Sequence, residues 1–82
     1  MTEQDIFLTL RGLIAEQFAL EPENITMESN FVDDFAADSV DLVELVMSLE
    51  EEFDIGEISE EDLGELTTVG KCVHYLAAKL NG

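Results

Sequence analysis

Apolar residues at Ile6, Phe7, Leu10, Leu13, Ile14 and Phe18 recur at three- and four-residue intervals. That is the spacing of one helical face, and it predicts a helix over about residues 2–20. Thr2 followed three residues later by Asp5 has the pattern of a capping box with Asp in place of Glu. Gly12 lies inside this helix and costs about 1 kcal/mol relative to Ala, so either the packing is close there or the helix tolerates it. Between residues 20 and 37 the periodicity fails. Ile25, Met27, Phe31, Val32 and Phe35 are scattered among Pro22, Asn24, Ser29 and Asn30, which predicts a long loop packed by its own apolar residues.

Residues 39–53 carry the most informative pattern. At about 100° per residue, Leu42, Leu45, Val46, Leu49 and Phe53 fall within an arc of roughly 140° to 240° from Val40, a stripe wide enough to face a core. Val40, Val43 and Met47 fall on the opposite side, with Glu44, Glu50 and Glu51 beside them. A narrow second apolar stripe edged by acids is how a protein-binding surface is built, with charge steering a basic partner and apolar contact holding it.

Beyond Asp54 and Gly56, Ser59 and Asp62 predict a short helical turn that ends near Leu66 and is weakened by Gly64. Thr67 or Thr68 then caps a last helix with Val69, Cys72, Val73, Leu76 and Leu80 on one face, Lys79 near its negative end, and Asn81 and Gly82 as its stop. No repeat or strand-like alternation is present. The expected fold is all-α, a small four-helix bundle with three longer helices, one short helix and a long first loop, spanning residues 1–82 as a single domain.

Composition narrows the function. The net charge of −17 opposes binding to nucleic acid or an acidic membrane. Leu, Ile, Val and Phe make up 27 of the 82 residues, about a third and well above the level of disordered chains, so the chain is expected to fold. One cysteine excludes an internal disulfide, and no apolar run is long enough for membrane insertion, which together favour a cytoplasmic protein. With a single His and a single Cys, no catalytic or metal site is expected. Cys72 reads as a small core residue and His74 as a solvated one, and the acidic stretches lack the spacing of a calcium loop. Between residues 28 and 65 there are 15 acids and no Lys or Arg. From composition alone that is most simply a solvated face; the acids around Val40, Val43 and Met47 favour a docking surface instead.

Asp38-Ser39 opens the central helix, where a serine is ordinarily a simple cap. Here, however, the run from Phe31 through Asp33-Asp34-Phe35-Ala36-Ala37-Asp38-Ser39-Val40-Asp41-Leu42 to Phe53-Asp54 resembles the acyl carrier proteins of type II fatty acid synthesis, as do the acidity, the length and the Leu66-Thr67-Thr68-Val69 segment. The resemblance implies that Ser39 carries a 4′-phosphopantetheine arm, transferred from coenzyme A by a phosphopantetheinyl transferase that Asp38 assists, and that acyl groups ride on the arm as thioesters. It implies that Val40, Asp41, Val43, Glu44, Met47, Glu50 and Glu51 meet basic docking patches on ketosynthases, reductases and acyltransferases. Leu42, Leu45, Val46 and Leu49 would wall a pocket for the acyl chain. The carrier would be a monomer and would itself catalyse nothing.

Four positions depart from the family pattern: Ala36 stands for a usual Gly, Val40 for Leu, Gly56 is an added residue, and Ser59 replaces a proline. The last two leave open a specialised carrier for a polyketide, peptide or other acyl pathway. An acidic helical adaptor without a prosthetic group is the remaining alternative.

Overall fold

In the computed structural model, which describes residues 2–81, the Thr2 hydroxyl accepts the Asp5 N–H at 3.1 Å and the Thr2 N–H donates to Asp5 at 3.3 Å. This capping box starts α1 (Glu3–Phe18), which buries Ile6, Leu10 and Ile14. The helix is slightly shorter than its periodicity suggests because Ala19 turns left-handed, with φ 55°, and closes it. Nothing lies within 4 Å of where a Gly12 side chain would begin, so that glycine is tolerated at an open surface rather than needed for packing.

The long loop is more structured than the sequence indicates. Pro22–Asn24 form a 3-10 turn, Pro supplying its first position. Ile25 and Phe31 are then buried as anchors, and Asn30 forms an isolated antiparallel bridge with Thr68. Around that bridge the Phe31 N–H donates to Thr67 O at 3.1 Å, Val69 N–H to Ser29 O at 3.0 Å and Gly70 N–H to Met27 O at 2.8 Å. The approach is so close that a Cβ on Gly70 would sit 2.9 Å from the Met27 carbonyl oxygen.

α2 (Ser39–Phe53) turns Leu45, Leu49 and Phe53 into the core, with Leu42 and Val46 at the margin. α3 (Glu60–Leu63) is a single turn capped by Ser59, whose hydroxyl accepts the Asp62 N–H at 3.1 Å. α4 (Val69–Asn81) is capped by Thr68, which accepts the Lys71 N–H at 3.2 Å, and buries Val69, Cys72, Val73 and Leu76. Asn81 is the last helical residue rather than part of the stop, and Gly82 lies outside the described residues. α1 packs chiefly on α4 and then on α2, giving an all-α bundle of 30 × 25 × 19 Å. None of the described helices is long and apolar enough to cross a membrane.

Candidate functional site

The start of α2 is fixed from three sides. Asp38 caps it, its carboxylate accepting the Asp41 N–H at 2.9 Å while the Asp41 carboxylate accepts the Asp38 N–H at 3.1 Å. Just upstream, Ala37 is buried and donates its N–H to Phe31 O at 2.9 Å, and Phe35 packs edge-on against Phe31 and tilted against Phe18, at ring distances of 5.9 and 6.0 Å. From α1, the Gln17 amide donates to the Asp41 carbonyl at 2.7 Å. Ser39 therefore begins a helix whose first turn is held to two other parts of the fold.

Ser39 itself is exposed, and no hydrogen bond involves its hydroxyl. As the first residue of the helix, it and Val40 have backbone N–H groups without intrahelical partners, at the positive end of the helix dipole. A hydroxyl so placed fits a phosphodiester: the oxygen is open to solvent, and unpaired N–H donors stand beside the position where phosphate oxygens would lie. Asp38 is exposed one residue away, its carboxylate already engaged in the cap.

Ala36, where the related pattern has glycine, has φ 55°. Left-handed backbone costs a residue with a Cβ about 1 kcal/mol, so this chain holds some strain next to the serine.

The two-sided pattern of α2 is realised in space. Val40, Val43 and Met47 are 64, 48 and 60% exposed, and Glu44 and Glu51 are exposed beside them. Asp41 and Glu50, grouped with these residues by angle and resemblance, are half-buried and already engaged: Asp41 in the cap, Glu50 accepting the Ile58 N–H at 2.7 Å. The three leucines and one valine of the inner face also divide. Leu45 and Leu49 are core residues, 2 and 1% exposed, whereas Leu42 and Val46 line surface grooves. One groove runs between Val46, Met47, Ile58 and Leu63, the other between Val32, Leu42, Leu63 and Leu66, so Leu63 of α3 borders both. An expected single pocket walled by all four inner residues is thus replaced by two open grooves, because Leu45 and Leu49 are fully occupied by packing in the bundle.

Cys72 is 2% exposed, and burial pushes its thiol up to about 12. It is a core residue, too protonated for a nucleophile. His74 is exposed, with Nδ1 3.5 Å from a Glu3 carboxylate oxygen. Among the described residues no three His, Cys, Asp or Glu side chains gather as a metal site.

Three participants escape sequence reasoning: Gln17, Glu50 as a loop acceptor, and Tyr75, whose hydroxyl donates to Asp62 at 2.9 Å. Gln17 left a faint signal, being a polar residue spaced three from Ile14 and four from Leu13, at the edge of an otherwise apolar face.

Comparison with known proteins agrees with this geometry. The family described as "Phosphopantetheine attachment site" matches residues 9–76. An acyl carrier protein of Clostridium acetobutylicum is 45% identical over 73 residues, covering 89% of this chain and 94% of that relative. One from Lactobacillus johnsonii is 43% identical over 81 residues, 99% of this chain and 100% of the relative. Among solved structures, the thermally stable acyl carrier protein from Enterococcus faecalis superposes with a TM-score of 0.80 at 35% identity, covering 96% of this chain and 99% of that one.

Proposed function

Since the chain belongs to the acyl carrier proteins, which hold acyl groups on 4′-phosphopantetheine and are not enzymes, we propose that Ser39 bears the arm and that the protein serves fatty acid synthesis. When bound, the arm supplies a terminal thiol on which acyl groups are held as thioesters. The observation that carries the assignment is the exposed, unpartnered Ser39 hydroxyl at the first position of a rigidly capped helix. Asp38 contributes twice in this reading, fixing the backbone at the serine and assisting the transferase that loads it.

The docking surface is centred on Val40, Val43 and Met47 with Glu44 and Glu51 as its charged rim and Asp41 at its edge. Its partners are a phosphopantetheinyl transferase and ketosynthases, reductases and acyltransferases with basic patches. Exposed apolar contact supplies the affinity and the acids the steering. Residues 1–82 act as one monomeric carrier domain in the cytoplasm. A specialised pathway is the second reading, favoured by the rebuilt segment around Gly56, where φ is 79°, and the Ser59 cap.

Incubation with coenzyme A and a broad-specificity transferase, followed by intact mass, tests the attachment. Wild type gains one pantetheine phosphate and Ser39→Ala gains none. Modification of Ser39→Ala would move the site elsewhere, and a wild type that stays unmodified would favour the adaptor. Elongation by a fatty acid ketosynthase, assayed on the loaded protein, separates the two pathways.

A further inference from the structure

Glu50 differs from the exposed acids of α2. It is half-buried, and one carboxylate oxygen accepts the Ile58 N–H at 2.7 Å, eight residues along the chain and beyond the end of the helix. Two left-handed residues make that return possible, Asp54 with φ 52° and Gly56 with φ 79°. Gly56 adopts this conformation without the penalty a Cβ would impose. The chain reverses, Ile58 arrives 7% exposed, and Ser59 is delivered as the cap of α3.

Among the described residues, the Glu50 bond is the only hydrogen bond made by residues 55–58. Ile58 in turn lines the groove shared with Val46, Met47 and Leu63. One wall of that groove is therefore held by a single charge-assisted bond, the burial of Ile58 and the packing of half-buried Ile55 against the core.

We propose that Glu50 is a positioning residue, its carboxylate strapping residues 54–59 against α2 to set the groove beside Met47 for an acyl chain, rather than a charge offered to partner enzymes. The occupant rests on the carrier reading above; the strap does not.

Residue-resolved amide exchange on the intact carrier tests the strap. In Glu50→Ala the Ile58 amide exchanges at least about tenfold faster, while the amides of Val69 and Gly70, bonded to loop carbonyls, keep their protection. Glu50→Gln retains an acceptor of equal reach and keeps most of the protection at Ile58. Unchanged exchange in Glu50→Ala overturns the strap.

Transferase rates at low and high salt test the alternative. Glu44→Gln and Glu51→Gln slow loading at low salt, whereas Glu50→Gln stays near wild type; an equal loss in Glu50→Gln would make it a docking charge. Loading the arm with octanoate tests the groove. The thermal midpoint gained on loading is smaller in Glu50→Ala than in wild type, and an equal gain overturns the link between strap and groove. A wild type that gains nothing counts against acyl shelter in the groove, and the exchange data then decide the strap alone.

Discussion

The two long connections of this bundle are held down by different chemistry. The first, between α1 and α2, is fastened to the start of α4 by backbone groups: Phe31 to Thr67, Ser29 to Val69 and Met27 to Gly70, at 2.8 to 3.1 Å. The second, between α2 and α4, shares that frame only at its end, through Thr67 and Thr68, and is otherwise tied to other elements by side chains, Glu50 to the Ile58 N–H at 2.7 Å and the Tyr75 hydroxyl to Asp62 at 2.9 Å. Peptide groups do not change charge with pH and are the same in any sequence, so the first connection is a fixed frame, and it is the one that leads directly into Ser39. The ties of the second depend on carboxylates within a stretch of 15 acids lacking any Lys or Arg, and the Glu50 tie borders the groove at Met47. Rigidity lies beside Ser39 and adjustability beside the groove at Met47.

The largest effect is expected where the fixed frame is tightest. Gly70→Ala places a Cβ 2.9 Å from the Met27 carbonyl oxygen, with backbone on both sides of the clash. It is expected to cost about 1–3 kcal/mol, read as a lower urea midpoint. A loss below about 0.5 kcal/mol would mean that the frame yields as readily as the second connection does.

Tyr75→Phe tests the adjustable side and is expected to cost about 0.5–1.5 kcal/mol, with increased amide exchange confined to residues 59–66. It also carries a pH signature. Desolvation, and then the Asp62 carboxylate that accepts its hydrogen bond, hold the Tyr75 hydroxyl above the usual phenol range. A folded pKa above the unfolded value gives stability that is complete below about pH 10 and is lost as pH rises through the folded value. Tyr75→Phe should therefore decline less steeply above pH 10. Cys72, raised from 9.0 to about 12, gives both proteins a common decline that begins lower, near pH 9. Parallel alkaline curves for the two proteins would show that Tyr75 does not hold α3.

The smallest effect is expected at Ala36. Its φ of 55° is left-handed, and Ala36→Gly should stabilise the fold by about 0.5 kcal/mol, strain relief being partly offset by the greater freedom of glycine when unfolded. Thermal unfolding measures this. Destabilisation instead would mean that the frame around Ala37 already compensates for the strain.

Much of this could be read from local pattern. Thr2 with Asp5 and Ser59 with Asp62 each cap a helix through groups three residues apart, as their spacing predicts, whereas at α2 the cap is Asp38 with Asp41, and Ser39, where the pattern suggested the cap, is the first helical residue. The outward position of Val40, Val43 and Met47 follows from helical angle once the opposite stripe has a core to face. Those are short-range consequences, and residue order determines them. The serine hydroxyl at a helix start belongs with them, although its chemistry became specific only through the surrounding run of residues.

The roles of Gln17, Glu50, Tyr75 and Gly70 were hidden because each depends on a partner brought close by packing. Gln17 reaches Asp41 across 24 positions and Tyr75 reaches Asp62 across 13, separations for which periodicity holds no information. Angle grouped Glu50 with the exposed acids, and only the reversal at Asp54 and Gly56 brought Ile58 to it. Likewise, Leu42, Leu45, Val46 and Leu49 share one stripe, but the position of α3 over that stripe separated the two that border grooves from the two sealed in the core. A sequence specifies which face of a helix turns inward; what meets that face, and how completely it is filled, is set by the docking of all the elements at once.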